Sequence, residues 1–494
     1  MVGAAPTAST RDLAARLGAC VLVGAAIWFA ARPDGVTETG WHVLAVFCAT
    51  IVSFLLRPLS MGPMVLISLL VLVVTGTLPF QTQTVRDDAT GTVTLVREGL
   101  LAGYGKAVVW LVVAAFLIAG AVKRTGLGRR VALLLVARLG RSTRGLAYAL
   151  CGSELLLGPI VPSNTARGGG IMAPIVGSLS RALGSTAMES PRRAGEYLVL
   201  VGAHANLITA AMFLTGMAAN GLVAEAAADS LLDVEYGWGT WALGAIVPGL
   251  VGLALLPLLI ERLARPELPD ARAAQAVARQ ELQRLGAWSR GEKVMAAVFA
   301  LLVVLWASES FHAIESYVVA WIGVCALLLT RTFRWKDACS DAGAWDALVW
   351  LGGLLSMATA LKSEGIVAWF AESMRGRLAG FGGVMAAVLL AVIYFYSMYG
   401  FSMLTGHITA LAGTFFAVAC AAQAPGLLVV PLIAAFSNLC GCTTNYSTGP
   451  VVIYFGMGYV PAGRWFRVGF LVSLFHMAVW LGPGMLWWKL LGWW

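Results

Sequence analysis

The stretch PSNTARGGG, Pro162–Gly170, decides how this chain is organised. It is polar and rich in glycine, yet it lies between two apolar runs, ALCGSELLLGPIV (149–161) and IMAPIVGSL (171–179). Ser163, Asn164, Thr165 and Arg167 therefore stand where neither solvent nor a packed soluble core is expected. What surrounds the stretch has to be established before its role can be inferred.

Composition gives that setting. Of 494 residues, 59% are hydrophobic and only 12% are charged, whereas roughly a quarter of the residues in soluble domains are charged. The apolar residues come in blocks of the length that a helix needs to cross about 30 Å of hydrocarbon, and alternating barrel strands are not seen. The sequence predicts an all-α polytopic membrane protein, and the net charge of +9 does not indicate a nucleic-acid partner.

The distribution of charge predicts the orientation of the chain in the lipid bilayer. Basic residues crowd 123–144 and 181–193, and such loops face the cytoplasm. Acidic residues, among them Glu225, Asp229 and Asp233, crowd the connection 222–240, as expected outside. We therefore predict a cytoplasmic N-terminus, with the first apolar block retained as a helix rather than removed as a signal peptide.

The chain repeats itself at an offset of about 240 residues. Val109-Trp110-Leu111 recurs as Val349-Trp350-Leu351, and Asn206-Leu207 has a later counterpart in Asn438-Leu439. Repeats with an odd number of crossings are inserted in opposite directions, which is transporter architecture. The predicted units are an N-terminal helix (1–40), a first inverted repeat (41–261), a cytoplasmic linker (262–293) and a second inverted repeat (294–494).

Each repeat contains one apolar segment that is interrupted in its middle. The first, about 143–185, is too long for one crossing and predicts a re-entrant hairpin with its polar turn at membrane depth. Irregular backbone is tolerated there only where it lines protein or a watery cavity, so Ser163, Asn164 and Thr165 should face a site for a carboxylate or a cation. Small polar residues can also simply hold helices together, but Arg167 favours function because a charge in lipid is costly.

The second hairpin, about 380–422, repeats the pattern. A shift of 240 residues aligns Thr165 with Thr405 and Arg167 with His407 in SMLTGHIT (402–409). A lone buried histidine is more often a packed neutral residue, but its symmetry with Arg167 favours a role at the site. We therefore expect both basic residues to supply fixed positive charge.

Two further helices are predicted to be broken, at about 195–222 and 425–459. FLTGMAANG (213–221) and TTNYSTGP (443–450) interrupt them, and such breaks free backbone groups for an ion. Glycine and proline kinks in continuous helices are the alternative. Polar residues of the hairpin and the broken helices form a second tier of candidates: Glu154, Asn206, Asn220, Asn438 and Asn445.

Several of these segments resemble the divalent anion/sodium symporter family, in its bacterial and plastid branch of citrate, malate and 2-oxoglutarate translocators. They are PSNTARGGGIMAPIV, NLITAAMFLTGMAAN, GAWDALVWLGGL and TNYSTGPVVIYFGMGYVP, and the resemblance runs from about Trp41 to the C-terminus. It implies about eleven transmembrane helices, an outside C-terminus, paired re-entrant hairpins and a homodimer with an elevator mechanism. It also implies small anionic carboxylate substrates and places the protein in the bacterial inner membrane.

The resemblance assigns site residues as well. In the family, the positions of Ser163, Asn164 and Thr165 bind the substrate carboxylate and help to form a first cation site. Opposite that signature, the resemblance places Thr215 and Gly216 of the first broken helix. The second half of the implied site consists of Thr405 and, from the second broken helix opposite it, Ser447, Thr448, Gly449 and Pro450. Met403 and Leu404 replace the oxygen-bearing residues of the second signature, and their side chains offer no oxygen to sodium.

These observations lead to one main hypothesis and two alternatives. The main hypothesis is sodium-independent exchange of dicarboxylates or tricarboxylates, with Arg167 and His407 in place of mobile cations. A sodium-coupled dicarboxylate symporter is the nearer alternative, with a residual sodium site near Ser163, Asn164 and Gly216; otherwise no cofactor is expected. An intramembrane enzyme is the distant alternative, because the sequence contains no nucleophile motif and no HExxH.

Overall fold

Helices form almost all of the regular structure, because a backbone surrounded by lipid must satisfy its hydrogen bonds internally. In a computed structural model of the chain, residues 10–86, 93–97, 99–230, 232, 234–312, 314–378 and 382–494 are described. The strands in this part of the chain are β1 Gln83–Arg86 and β2 Val93–Arg97, an antiparallel pair. Apart from this short hairpin, the prediction of an all-helical chain is confirmed.

The first half contains ten helices within the described residues. Local capping sets some of their starts: the Thr37 hydroxyl accepts a hydrogen bond from the Gly40 amide, and Ser142 does the same for Gly145. The helices are α1 Thr10–Trp28, α2 Glu38–Leu56, α3 Met61–Val74, α4 Ala107–Thr125, α5 Leu127–Leu139, α6 Thr143–Leu157, α7 Ala173–Ala182, α8 Gly195–Met212, α9 Asn220–Ala228 and α10 Trp238–Leu263. Short helical segments are the 3-10 turns Ala102–Gly105, Pro191–Arg193 and Leu214–Gly216 and the π-helix Thr165–Met172.

The second half follows a linker helix, α11 Arg272–Leu285. Its first helix begins with a capping box at 289–292. In this box, the Ser289 hydroxyl and the Glu292 carboxylate each accept a hydrogen bond from the other residue's amide. The helices are α12 Arg290–Ala307, α13 Glu309–His312, α14 Ser316–Leu329, α15 Trp335–Cys339, α16 Ala342–Ser363, α17 Ile366–Leu378, α18 Gly383–Ser397, α19 Leu404–Ala421, α20 Gly426–Leu439, α21 Gly449–Gly456, α22 Ala462–Val479 and α23 Met485–Leu490. Short helical segments are the 3-10 turns Met398–Gly400 and Cys440–Thr443 and the π-helix Trp480–Gly484.

Eight helical stretches of the described chain are long and apolar enough to cross a membrane. They are centred on α2, α4, α10, α16, α18, α19, α20 and α22, and α3 and α14 are shorter apolar helices. These candidates are identified by length and composition, which do not show whether a broken or short helix crosses the membrane. The expected number of eleven transmembrane helices therefore stays a prediction.

The two interrupted segments both fold back on themselves. The amide of Thr143, at the start of α6, donates to the Pro269 carbonyl at 3.0 Å, and the Arg193 carbonyl, after α7, accepts from the Leu268 amide at 3.0 Å. In the second half, Gly383 at the start of α18 packs against the Gln423 carbonyl after α19. Residues 380 and 381 of the second predicted hairpin lie outside the described residues. The irregular turns at 158–164 and 401–403 therefore lie far from the paired ends.

The two halves of the chain pack through exchanged elements. Helix α4 contacts α16, and α8 contacts α20, so helices that the predicted repeat aligns contact each other. Helix α9 of the first half packs on α19 of the second, while α21 of the second packs on the π-helix of the first. Each broken helix thus reaches the hairpin of the other repeat. All residues of α8 are buried, which places this helix at the centre of the molecule.

A cluster of ion pairs around Asp229 includes one that joins the two halves, between Lys362 and Asp229. Lys106 Nζ lies 2.6 Å from the Glu225 carboxylate and 3.1 Å from Asp229, and Lys362 Nζ lies 3.4 Å from Asp229. Glu225 and Asp229, two acidic residues of the connection predicted to face the exterior of the cell, are thus paired with lysines. Asp233 is not among the described residues.

Candidate substrate site

The turns of both hairpins converge on the break between α20 and α21. Asn164 Nδ2 donates to Thr448 Oγ1 at 3.1 Å, and the Leu404 amide donates to the Ser447 carbonyl at 2.8 Å. Thr165 packs so closely on Gly449 that a side chain at Gly449 would overlap it. The structure thus brings residues from three separate segments to one place.

Three helix N-termini meet at this place. The π-helix begins at Thr165, α19 at Leu404 and α21 at Gly449, and within the described chain no N-cap side chain hydrogen-bonds to any of them. The first amides of a helix carry partial positive charge and bind anions. Thr165 and Thr405 are half-buried, and neither hydroxyl has a hydrogen-bond partner among the described residues. The arrangement suits carboxylate oxygens.

The glycines behind the first turn allow close approach. A Cβ at Gly168 would lie 2.7 Å from Asn206 Nδ2 and 3.0 Å from the Pro450 side chain. Pro450 itself is buried beside α21's first turn. Gly168 therefore lets the π-helix pack directly against both broken helices.

Arg167 is completely buried and fully engaged by the protein. Its Nε donates to Glu154 Oε2 at 2.7 Å, and Nη1 donates to the carbonyls of Val161 and Gly216 at 2.7 and 3.0 Å. Its Nη2 lies 3.3 Å from Thr209 Oγ1. The fixed positive charge expected of Arg167 is therefore balanced within the protein, because Glu154, also completely buried, supplies the counter-charge.

His407 occupies the equivalent place in the second repeat but meets different chemistry. Its Nε2 lies 2.8 Å from Ser397 Oγ and 3.0 Å from the Tyr394 carbonyl, while Nδ1 is buried without a partner among the described residues. The rings of Tyr394 and Phe401 pack on the imidazole. Glu154 and Tyr394 are related by the same offset of 240 residues, so each basic residue contacts the residue thirteen positions before it.

A family model described as the transmembrane region of sodium:sulfate symporters matches residues 11–494. This chain belongs to the divalent anion/sodium symporter family. It is 42% identical to the "Putative malate transporter YflS" of Bacillus subtilis, over 96% of each chain. It is 36% identical to the chloroplastic dicarboxylate transporter 1 of Spinacia oleracea, over 96% of this chain and 81% of that protein. It is 32% identical to the L-tartrate/succinate antiporter of Escherichia coli, over 92% and 94%.

Two solved transporter structures share the fold of this divalent anion/sodium symporter family member. The Alcanivorax borkumensis YdaH transporter gives a TM-score of 0.56 at 15% identity, covering 88% of this chain and 99% of that one. Neisseria gonorrhoeae MtrF gives 0.55 at 14% identity, covering 89% and 97%. The predictions of an integral membrane transporter, and of no enzyme, are confirmed by the family.

The positions that the family resemblance assigns to a first cation site are occupied by internal bonds. Thr215 Oγ1 donates to the Pro159 carbonyl at 2.6 Å and accepts from Trp238 Nε1 at 3.0 Å. Ser163 Oγ accepts from the Ala166 amide at 3.1 Å. The Gly216 carbonyl accepts from Arg167. In this family member, oxygen atoms at the first cation position therefore bond to other protein groups.

Of the second-tier residues, the structure gives clear positions to four: Glu154, described above, and Asn206, Asn220 and Asn438. Asn206 Nδ2 lies 3.0 Å from Glu154 Oε2 and 3.2 Å from the Asn164 carbonyl, so it ties the ion pair to the hairpin turn. Asn438 Nδ2 donates to Asn220 Oδ1 at 2.8 Å, and both residues are completely buried. They link the two broken helices. Asn445 is half-buried, next to the exposed Tyr446.

Two residues of the site were missed by sequence reasoning. Thr209 donates to Glu154 Oε2 at 3.3 Å, and Trp238 holds Thr215. Thr209 follows Asn206 by three residues on α8, so both lie on the same helix face. That spacing could have identified Thr209. Trp238 lies beyond the broken helix and carries no such signal.

Proposed function

We propose that this protein exchanges dicarboxylates or tricarboxylates across the membrane without a coupling sodium ion. The observation that carries the proposal is the position of Arg167 in this member of the family. Its guanidinium binds the carbonyls of Val161 and Gly216, one from the hairpin turn and one from the broken helix. Such freed carbonyls are the oxygen ligands that a cation takes in transporters.

A guanidinium at this place makes a mobile cation unnecessary. It occupies both carbonyls, so neither is free to bind sodium, and Glu154 balances its charge within the protein. The second position offers even less, because the Met403 and Leu404 side chains contain no oxygen and the Ser447 carbonyl already accepts a hydrogen bond from the Leu404 amide. Sodium prefers oxygen ligands. Both positions therefore favour transport without sodium, against the symporter alternative.

Substrate recognition follows from the converging helix N-termini. One carboxylate would accept hydrogen bonds from Asn164 Nδ2 and the Thr165 hydroxyl, and a second from Thr405 and Thr448. Helix amides add partial positive charge around them. The names of the relatives favour four-carbon dicarboxylates such as malate, succinate and tartrate; citrate and 2-oxoglutarate belong to the same chemical class.

Exchange, rather than net transport, follows from the cost of moving an empty site. The Thr165 and Thr405 hydroxyls lack hydrogen-bond partners among the described residues, and burying such a group without one costs about 1–3 kcal/mol. A bound dicarboxylate satisfies both at once. The loaded carrier therefore crosses more readily than the empty one.

The remaining architecture is proposed on the family resemblance. Re-entrant hairpins, about eleven crossings, an elevator movement and a homodimer belong to this proposal. The basic stretch 123–144 favours a cytoplasmic N-terminus, with the C-terminus outside and the protein in a bacterial inner membrane.

Reconstituted vesicles test the function. Vesicles loaded with unlabelled succinate, malate, tartrate or citrate are given external labelled succinate, in sodium or choline buffer. We expect uptake that requires an internal dicarboxylate and is equal in both buffers. Rapid uptake into vesicles without internal anion, dependent on sodium, would establish the symporter alternative. Chemically altered label would indicate an enzyme.

A further inference from the structure

A second cavity lies beside the first hairpin and away from the substrate site. Its volume is about 560 Å³, and α4, α5, α7 and the linker helix α11 enclose it. Apolar side chains form much of its wall: Leu133, Ile171, Ile175 and Val277. Gly170 of the π-helix also lines the cavity, and a Cβ at Gly170 would meet no described atom within 4 Å. The cavity therefore extends to the π-helix. The residues at the hairpin turn do not line it.

The polar edge of this cavity carries excess positive charge. Lys123 and Arg129 line it together with Glu281. Glu281 lies 2.6 Å from Arg129 and 2.9 Å from Arg284, so one carboxylate serves two guanidinium groups. Lys123 is exposed and has no ionic or hydrogen-bond partner among the described residues. Two cations, Lys123 and Arg129, therefore line the cavity beside one anion, Glu281, which Arg284 outside the lining also engages.

We propose that this cavity binds one anionic phospholipid molecule. The phosphate lies between Lys123 and Arg129, and an acyl chain runs along Ile171 and Val277. Basic pockets between membrane helices on the cytoplasmic side bind such headgroups, and the basic stretch 123–144 is the one predicted to face the cytoplasm. A soluble dicarboxylate would gain nothing from the apolar wall, which separates this site from the substrate site.

The bound lipid would brace the moving part of the first hairpin. Helix α7 continues directly from the π-helix that starts at Thr165, and α11 packs against both α7 and α5. A lipid in the cavity fills the space between these three helices. It would therefore steady the hairpin arm that carries the substrate-binding turn.

The inverted repeat supplies a matched control cavity. A cavity of about 420 Å³ lies between α2, α9, α16, α17 and α19, and Lys362, the repeat counterpart of Lys123, lines it. Here the lysine lies 3.4 Å from Asp229. Because the charge of Lys362 has a partner, this control cavity should not select anionic lipid.

Native mass spectrometry of the purified full-length protein tests the site. The protein is stripped of lipid and titrated with phosphatidylglycerol, or with phosphatidylcholine of the same acyl chains. We expect one phosphatidylglycerol per chain to bind preferentially. The double variant Lys123→Gln/Arg129→Gln should lose about 30-fold in affinity, from two surface charges, whereas Lys362→Gln should bind as the parent does.

A further variant and a competition experiment test the contribution of the acyl chains. Val277→Trp fills the cavity from the linker helix without altering charge, and it should also lose the bound lipid. Glycerol phosphate, which lacks acyl chains, should not compete. Equal binding of both lipids, an unaffected double variant, or full competition by glycerol phosphate would each overturn the proposal.

Discussion

The buried Arg167–Glu154 pair allows a sharp prediction of stability. Glu154→Gln keeps the size of the side chain, so it creates no cavity. It removes the only carboxylate among the described hydrogen-bond partners of Arg167, whose Nε lies 2.7 Å away. Both side chains are 0% exposed. The variant therefore leaves a buried guanidinium without a counter-charge.

The magnitude follows from that burial. Removing one partner of a buried ion pair destabilises a protein by about 3–5 kcal/mol. Another Arg–Glu pair of the chain, Arg144–Glu261, has the same 2.7 Å separation, but its side chains are 54% and 26% exposed. Solvent screens such pairs, so breaking one has little effect on stability. Glu261→Gln is therefore a matched control.

Unfolding of the purified protein, followed by tryptophan fluorescence in denaturant, measures both variants. We expect Glu154→Gln to lower the free energy of unfolding far more than Glu261→Gln. The double variant Glu154→Gln/Arg167→Met should regain most of the loss, because it removes the unpaired charge as well. A Glu154→Gln effect no larger than that of Glu261→Gln, or no recovery in the double variant, would refute the reasoning.

Two other predictions concern the contacts between the repeats. Asn438→Leu removes the buried hydrogen bond to Asn220 and leaves the Asn220 Oδ1 without that partner. The same unfolding assay should therefore show that the free energy of unfolding falls by about 1–3 kcal/mol. An unchanged unfolding midpoint would contradict the structural role of this bond. Gly449→Ala pushes a methyl group into Thr165, so it should raise the KM for succinate exchange, while Gly456→Ala in the same helix, where a Cβ meets no described atom within 4 Å, should leave KM unchanged. Equal KM values for the two variants would count against the proposed site.

The interruptions of the fold could be predicted from the sequence because their signal is local. Polar residues and glycines inside apolar blocks are conspicuous, and they mark the turns at 162–170 and 402–409 and the breaks at 213–221 and 443–450. The structure has irregular or 3-10 and π-helical backbone within these stretches. The short strands β1 and β2 were not predicted, because one hairpin in a polar connection leaves no periodicity in the rest of the chain.

The chemistry of the site was harder to predict than its position. Arg167 was singled out correctly as a buried cation, but whether Glu154 pairs with it depends on how the irregular backbone between them turns. Repeat symmetry predicted that His407 takes the equivalent place. It did not predict the environment, because Tyr394 stands where the first repeat has Glu154, and the histidine binds a carbonyl instead of a carboxylate.

The measurement that tests the central claim most directly is the number of sodium ions moved with each dicarboxylate. Vesicles containing the protein are supplied with ²²Na⁺ and ¹⁴C-succinate, and both labels are followed during exchange. If the Arg167 guanidinium stands in for the coupling ion, succinate enters without any sodium above that of protein-free vesicles. Entry of one or more sodium ions with each succinate would contradict the account.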